Sequence, residues 1–169
     1  MTHTRDEFNI GVTGHQKRDG LDWSWTRASI SSVLHDEMPV TGALTSLAVG
    51  TDQIFAEEAL ACAIRLKVII PFADYDRCFT EQDLANYRRL LARAYKSVVI
   101  DPMTSDQQAF LAAGMQIANE SDLIVAVWDG KPAVGLGGTA DIVKHALAAG
   151  RQVIHLDPFS RTIQRLSVK

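Results

Sequence analysis

The feature that most constrains this chain is an alternation. Short apolar runs of strand length alternate with longer segments whose apolar residues recur at helical spacing. FNIGVTG (8–14) reads as a strand ending in a glycine turn, and DWSWTRASISSVLHDEM (22–38) as a helix. ALTSLAVG (43–50) reads as a strand. TDQIFAEEALACAIR (51–65) reads as a helix with Ile54, Phe55, Ala59 and Cys62 on one face. LKVIIPFA (66–73) is a strand, DYDRCFTEQ a loop, and DLANYRRLLARAYK (83–96) a helix with Leu84, Tyr87, Leu91 and Ala94 at helical spacing. SVVIDP (97–102) is a short strand and SDQQAFLAAGMQIANESD (105–122) a helix. LIVAVW (123–128) is a strand, 139–149 a helix ended by Gly150, and QVIHLDP (152–158) the last strand.

Most strand runs are apolar on both faces, as parallel strands covered by helices must be. The βαβα order therefore predicts an α/β domain: a three-layer, doubly wound, mainly parallel sheet. The 169 residues suit one domain spanning 1–169. In such sheets a ligand sits beyond the carboxyl ends of the strands, near the switch in strand order.

Composition narrows the function classes. The formal net charge of -3 argues against nucleic acid as a partner. Cys62 and Cys78 have no metal-ligand spacing, and H-E-x-x-H, G-x-S-x-G and the P-loop pattern are absent, so neither a metal nor a resident cofactor is expected. Few thiols, no leader-like start and no run long enough to span a bilayer predict a cytoplasmic protein without a membrane partner.

Three strand ends carry glycine: TGH after the first strand, VGTD after the second, and WDG…GLGGT after the fifth. The first turn of a helix leaves N–H groups unpaired, and its dipole adds partial positive charge. Gly137 and Gly138 before Thr139 give an anion room to approach, and the Thr139 hydroxyl can cap the helix or bind a phosphate oxygen. Thr13 and Gly14 offer backbone N–H groups to the same crevice, with His15 at its edge. Gly50 precedes Thr51 and Asp52. Asp52 reads either as a helix cap or as a partner of ribose hydroxyls, and Asp129 can make the same ribose contact. Lys131 is a candidate phosphate partner, and Trp128 a candidate stacking surface. G-x-G-x-x-G is absent, which disfavours an ordinary dinucleotide dehydrogenase.

GVTGH, then SDLIVAVWDG…GLGGTADIV, resembles the SLOG superfamily over roughly residues 8–157. These are Rossmann-like domains related to the LOG phosphoribohydrolases, to DprA and to the sensor region of TRPM channels. The resemblance implies a nucleotide-derived small molecule held between the first loop (Thr13, Gly14) and the second (Gly137, Gly138, Thr139). Related domains are commonly dimeric, which implies a homodimer or higher homo-oligomer. Nucleoside deoxyribosyltransferases look similar over the same C-terminal stretch. The pattern P-G-G-x-G-T-x-x-E of the LOG enzymes falls on Val134 to Ile142, so the expected glutamate is Ile142. The upstream arginine of those enzymes also has no match. Stabilising positive charge on a sugar requires a carboxylate. Asp141 and Asp129 are the candidate catalytic substitutes. A sensor-type binding protein is the first expectation, and a nucleotide N-glycosidase or deoxyribosyltransferase-like enzyme the second.

Overall fold

A computed structural model describes residues 7–16 and 19–168. Seven strands form one sheet: β1 (Asn9–Gly14), β2 (Gly42–Thr45), β3 (Arg65–Ile70), β4 (Lys96–Val99), β5 (Leu123–Val127), β6 (Gln152–Asp157) and β7 (Thr162–Leu166). Their order is β4-β3-β2-β1-β5-β6-β7, parallel except for the β6–β7 pair. The chain steps outward from β1 to β4, then returns to the other side of β1 with β5. The switch therefore lies between β1 and β5, where Gly14 pairs in register with Val127. This is a Rossmann-like α/β fold.

Side chains alternate across each strand, and the two faces bury separate cores. Ile10, Val12, Val125 and Val127 join one core with α1 (Trp23–Asp36), α2 (Thr51–Ala61) and α3 (Glu81–Leu91). Ile124, Ala126 and Trp128 join the other with α4 (Asp106–Asn119) and α5 (Thr139–Ala148). β5 is buried along its whole length, which accounts for its unbroken apolar run. Helix starts follow local chemistry. Asp22 caps α1 by accepting from the Trp25 N–H at 2.9 Å, and Ser105 caps α4 by accepting from Gln108. In α1 the buried Ile30, Val33 and Leu34 fall on one face.

The helices read over 51–65 and 83–96 end earlier, at Ala61 and Leu91, and three further elements differ from the sequence reading. β2 stops at Thr45, well short of residue 50, because Leu47 turns the chain at φ 58° and its N–H bonds the Thr45 hydroxyl. The segment read as a loop holds a 3-10 turn (Tyr75–Cys78) that buries Tyr75. β7 was not expected at all. Four of its five residues are exposed on the sheet edge, so it carries no apolar run by which to be read.

Candidate functional site

A cleft of about 610 Å³ opens above the carboxyl ends of β5, β1, β2 and β3, at the switch in strand order. It brings together Thr13, Gly14, His15, Asp52, Asp129, Gly137, Gly138 and Thr139 from four separate stretches of the chain. Two residues singled out in the sequence stand elsewhere. Gly50 caps α2 from outside the cleft lining, and its φ of 94° bends the chain into that helix. Asp141 also lies off the lining, and its Oδ2 accepts the Gly137 N–H at 3.1 Å, closing the loop onto the first turn of α5.

At the α5 end, Gly138 is the helix cap and supplies no side chain to it, so Thr139 is the first helical residue and its hydroxyl is not spent on capping. Among the described residues no hydrogen bond takes up the N–H groups of Gly138, Thr139 or Ala140. The glycines here also have packing reasons. A Cβ on Gly138 would stand 2.8 Å from that of Ala133, and Gly137, at φ 83°, lies against the α4 backbone at Leu111. Ile142 is 2% exposed and lies against Gly114 of α4, in the second core.

In the middle of the cleft, Gly14 approaches α2 so closely that a Cβ would stand 2.6 Å from the Thr51 side chain. Thr51 holds this loop by donating its hydroxyl to the His15 carbonyl at 2.8 Å. His15 Nε2 accepts the Asp129 N–H at 3.2 Å and stands 3.6 Å from the Asp129 carboxylate. Asp129 Oδ1 in turn accepts from the Lys131 N–H. Trp128 is not an open stacking surface: its ring lies 4.1 Å from that of His155 and its Nε1 donates to the Lys131 carbonyl.

At the far end, the sequence points to Asp52 but not to Tyr75. Asp52 is buried, and its Oδ2 accepts from both the Ser46 N–H and the Thr45 hydroxyl at 3.1 Å. Burial pushes its pKa up to about 6, against the hydrogen bonds that lower it. Tyr75, 3% exposed, also lines the cleft beside Phe110. Burial, and after it the charge of Asp52, raises the Tyr75 pKa and keeps its hydroxyl protonated. Among the described residues the hydroxyls of Thr13, Ser46, Tyr75 and Thr139 have no hydrogen-bond partner, and all four line the cleft. The sequence signal for Tyr75 is one of two aromatics, with Phe79, in a polar loop, too weak to read alone. Its packing against Phe72, Phe79, Tyr87 and Phe110 exists only in three dimensions.

No protein-family model matches the chain, and no curated protein matches it in sequence. Solved structures do match. DNA processing protein A (DprA) from Streptococcus pneumoniae has a TM-score of 0.61 at 17% identity, over 88% of this chain and 50% of that one. DNA processing protein A from Helicobacter pylori has a TM-score of 0.63 at 15% identity, over 88% of this chain and 64% of that one. The molybdenum cofactor carrier protein from Chlamydomonas reinhardtii has a TM-score of 0.50 at 17% identity, over 88% of this chain and 76% of that one. At these identities the likeness establishes a DprA-like Rossmann fold and not an activity. The chain spans only half of one DNA processing protein and 64% of the other.

One expectation is overturned here. The Helicobacter protein is described by its single-stranded DNA binding mode, so nucleic acid cannot be set aside for this fold on net charge. A charge of -3 is a whole-chain sum, whereas a strand of nucleic acid meets only one groove. Among the described residues no helix is long and apolar enough to cross a membrane, and no group of three or more His, Cys, Asp or Glu could hold a metal.

Proposed function

We propose that residues 1–169 act as one domain that binds a nucleotide unit, free or within a single strand, with its phosphate on the N-terminus of α5. The observation that carries this reading is the cleft at the strand-order switch, lined by the Thr13 and Thr139 hydroxyls and by three N–H groups at the start of α5 that have no partner among the described residues. Recognition is favoured over hydrolysis. The resemblance calls for a carboxylate where Ile142 is buried, and Asp141 is committed to the Gly137 N–H. Asp129 is the one observation favouring the second reading, an N-glycosidase, because its carboxylate borders the cleft.

Thermal shift with AMP, GMP, CMP, UMP, ribose 5-phosphate and a short single-stranded oligonucleotide tests binding. At about a hundred times its Kd, a ligand stabilises by about 2.7 kcal/mol. No shift with any of them refutes the proposal. Base release followed by chromatography separates the two readings: repeated turnover that is lost in Asp129→Asn establishes the enzyme.

A further inference from the structure

We infer that Asp52 and Tyr75 form a nucleobase-reading subsite, in which Asp52 Oδ1 accepts an N–H of the base and the Tyr75 hydroxyl bonds the neighbouring acceptor. The inference rests on the reading that places phosphate on α5, and it reassigns Asp52 from the ribose to the base.

The sheet supplies the ruler. The cleft's contributors stand in the order β5, β1, β2, β3. Adjacent strands lie about 4.8 Å apart, so β2 and β3 stand about 10 and 14 Å from β5. A phosphate anchored by the helix after β5 leaves its ribose over Thr13 and Gly14 of β1. The base then reaches Asp52, beyond β2, and Tyr75, beyond β3.

The chemistry there is that of a base pocket. Phe110 and Ile117 of α4 give an apolar flank, and Tyr75 lies 6.4 Å from Phe110 between ring centroids. The Tyr75 side chain is almost wholly buried, yet its hydroxyl reaches the cleft surface and has no partner among the described residues, so a ligand atom can pair with it. The two short hydrogen bonds to the Asp52 carboxylate, from the Ser46 N–H and the Thr45 hydroxyl, both end on Oδ2, and the Ala48 N–H adds a weaker one. An oxygen of a carboxylate has two lone pairs, so Oδ1 still has room for a ligand donor. A carboxylate only accepts, so the base must offer an N–H at that point. The same two bonds determine what an amide would do. In Asp52→Asn the amide oxygen stays with the Ser46 N–H and the Thr45 hydroxyl, and the NH₂ turns to the cleft. The subsite then donates where it had accepted.

The experiment is a calorimetric titration at pH 7.5 with AMP, GMP, CMP, UMP and ribose 5-phosphate. The tightest nucleotide is then compared with its donor-free relative: purine riboside 5′-monophosphate for a purine, 2-pyrimidinone riboside 5′-monophosphate for a pyrimidine. The tightest nucleotide should bind about tenfold more tightly than ribose 5-phosphate, and about tenfold more tightly than the donor-free relative. Tyr75→Phe should weaken the nucleotide about tenfold and leave ribose 5-phosphate unchanged, which also shows the variant to be folded. Asp52→Asn should abolish or reverse the preference against the donor-free relative. Equal affinity for nucleotide and donor-free relative overturns the subsite while phosphate binding stands. So does an equal loss of ribose 5-phosphate and nucleotide in Asp52→Asn, which returns Asp52 to the ribose. If neither ribose 5-phosphate nor any nucleotide binds, the phosphate reading falls with it.

Discussion

The two ends of the cleft are built on opposite plans. The α5 end is made of backbone: a glycine cap, N–H groups without a partner among the described residues and a loop tied by Asp141 to its own helix within four residues. The far end is made of side chains, with Asp52 from α2, Tyr75 from the turn after β3 and Phe110 from α4 meeting across long stretches of sequence. A backbone site tolerates variation in its side chains as long as the turn survives. A side-chain site fails with one substitution, yet it can discriminate among ligands that share a phosphate.

The largest expected effect probes the side-chain end through pH. Burial lifts the Asp52 pKa from 3.8 to about 6, so the folded state holds this proton more tightly than the unfolded chain. The charged carboxylate therefore costs stability above pH 6, and the cost fades as pH falls toward 4. The difference between the two values corresponds to about 3 kcal/mol. Asp52→Asn lacks this titration, so its stability advantage over wild type in urea should shrink by about 3 kcal/mol between pH 7.5 and 4. A constant difference across that range would mean that Asp52 is well solvated, and the contrast between the ends would weaken.

The next effect falls between the two ends. Gly14→Ala places a methyl 2.6 Å from the Thr51 side chain, which is fully buried and holds the His15 carbonyl. Overpacking there should cost about 2 kcal/mol in denaturant midpoint measurements. A neutral result would show that α2 can retreat from β1.

The backbone end should respond more gently. Asp141→Asn exchanges the charged acceptor of the Gly137 N–H, near the positive end of α5, for a neutral one, and about 1 kcal/mol of stability should go with it. Amide hydrogen exchange should quicken at Gly137 in this variant and stay unchanged at Ser46. Thr139→Ala should be the mildest, lowering ribose 5-phosphate affinity by about 0.5–1 kcal/mol while the fold keeps its stability. If Thr139→Ala proves more damaging than Tyr75→Phe, the roles assigned to the two ends are reversed.

The amino-acid sequence alone carries the alternation of strand and helix, the mainly parallel sheet and the glycine-marked strand ends above it. These are local properties: a buried strand such as β5 must be apolar on both faces, and a turn at positive φ calls for glycine. It also determined that Ile142 faces the core, through the apolar stripe with Val143 and Ala146. A local signal can also serve a tertiary purpose. Gly138 reads as room for an anion and also makes room for Ala133, and Gly50 reads as a ligand contact and also bends the chain into α2 at positive φ. Net charge misled because it sums over the whole surface. Three-dimensional packing is what brings Tyr75, in a polar stretch that reads as a loop, to the end of the cleft with Asp52. That pairing depends on the order β5-β1-β2-β3, which is set by how the helices pack on the two faces of the sheet and is not written in any single segment.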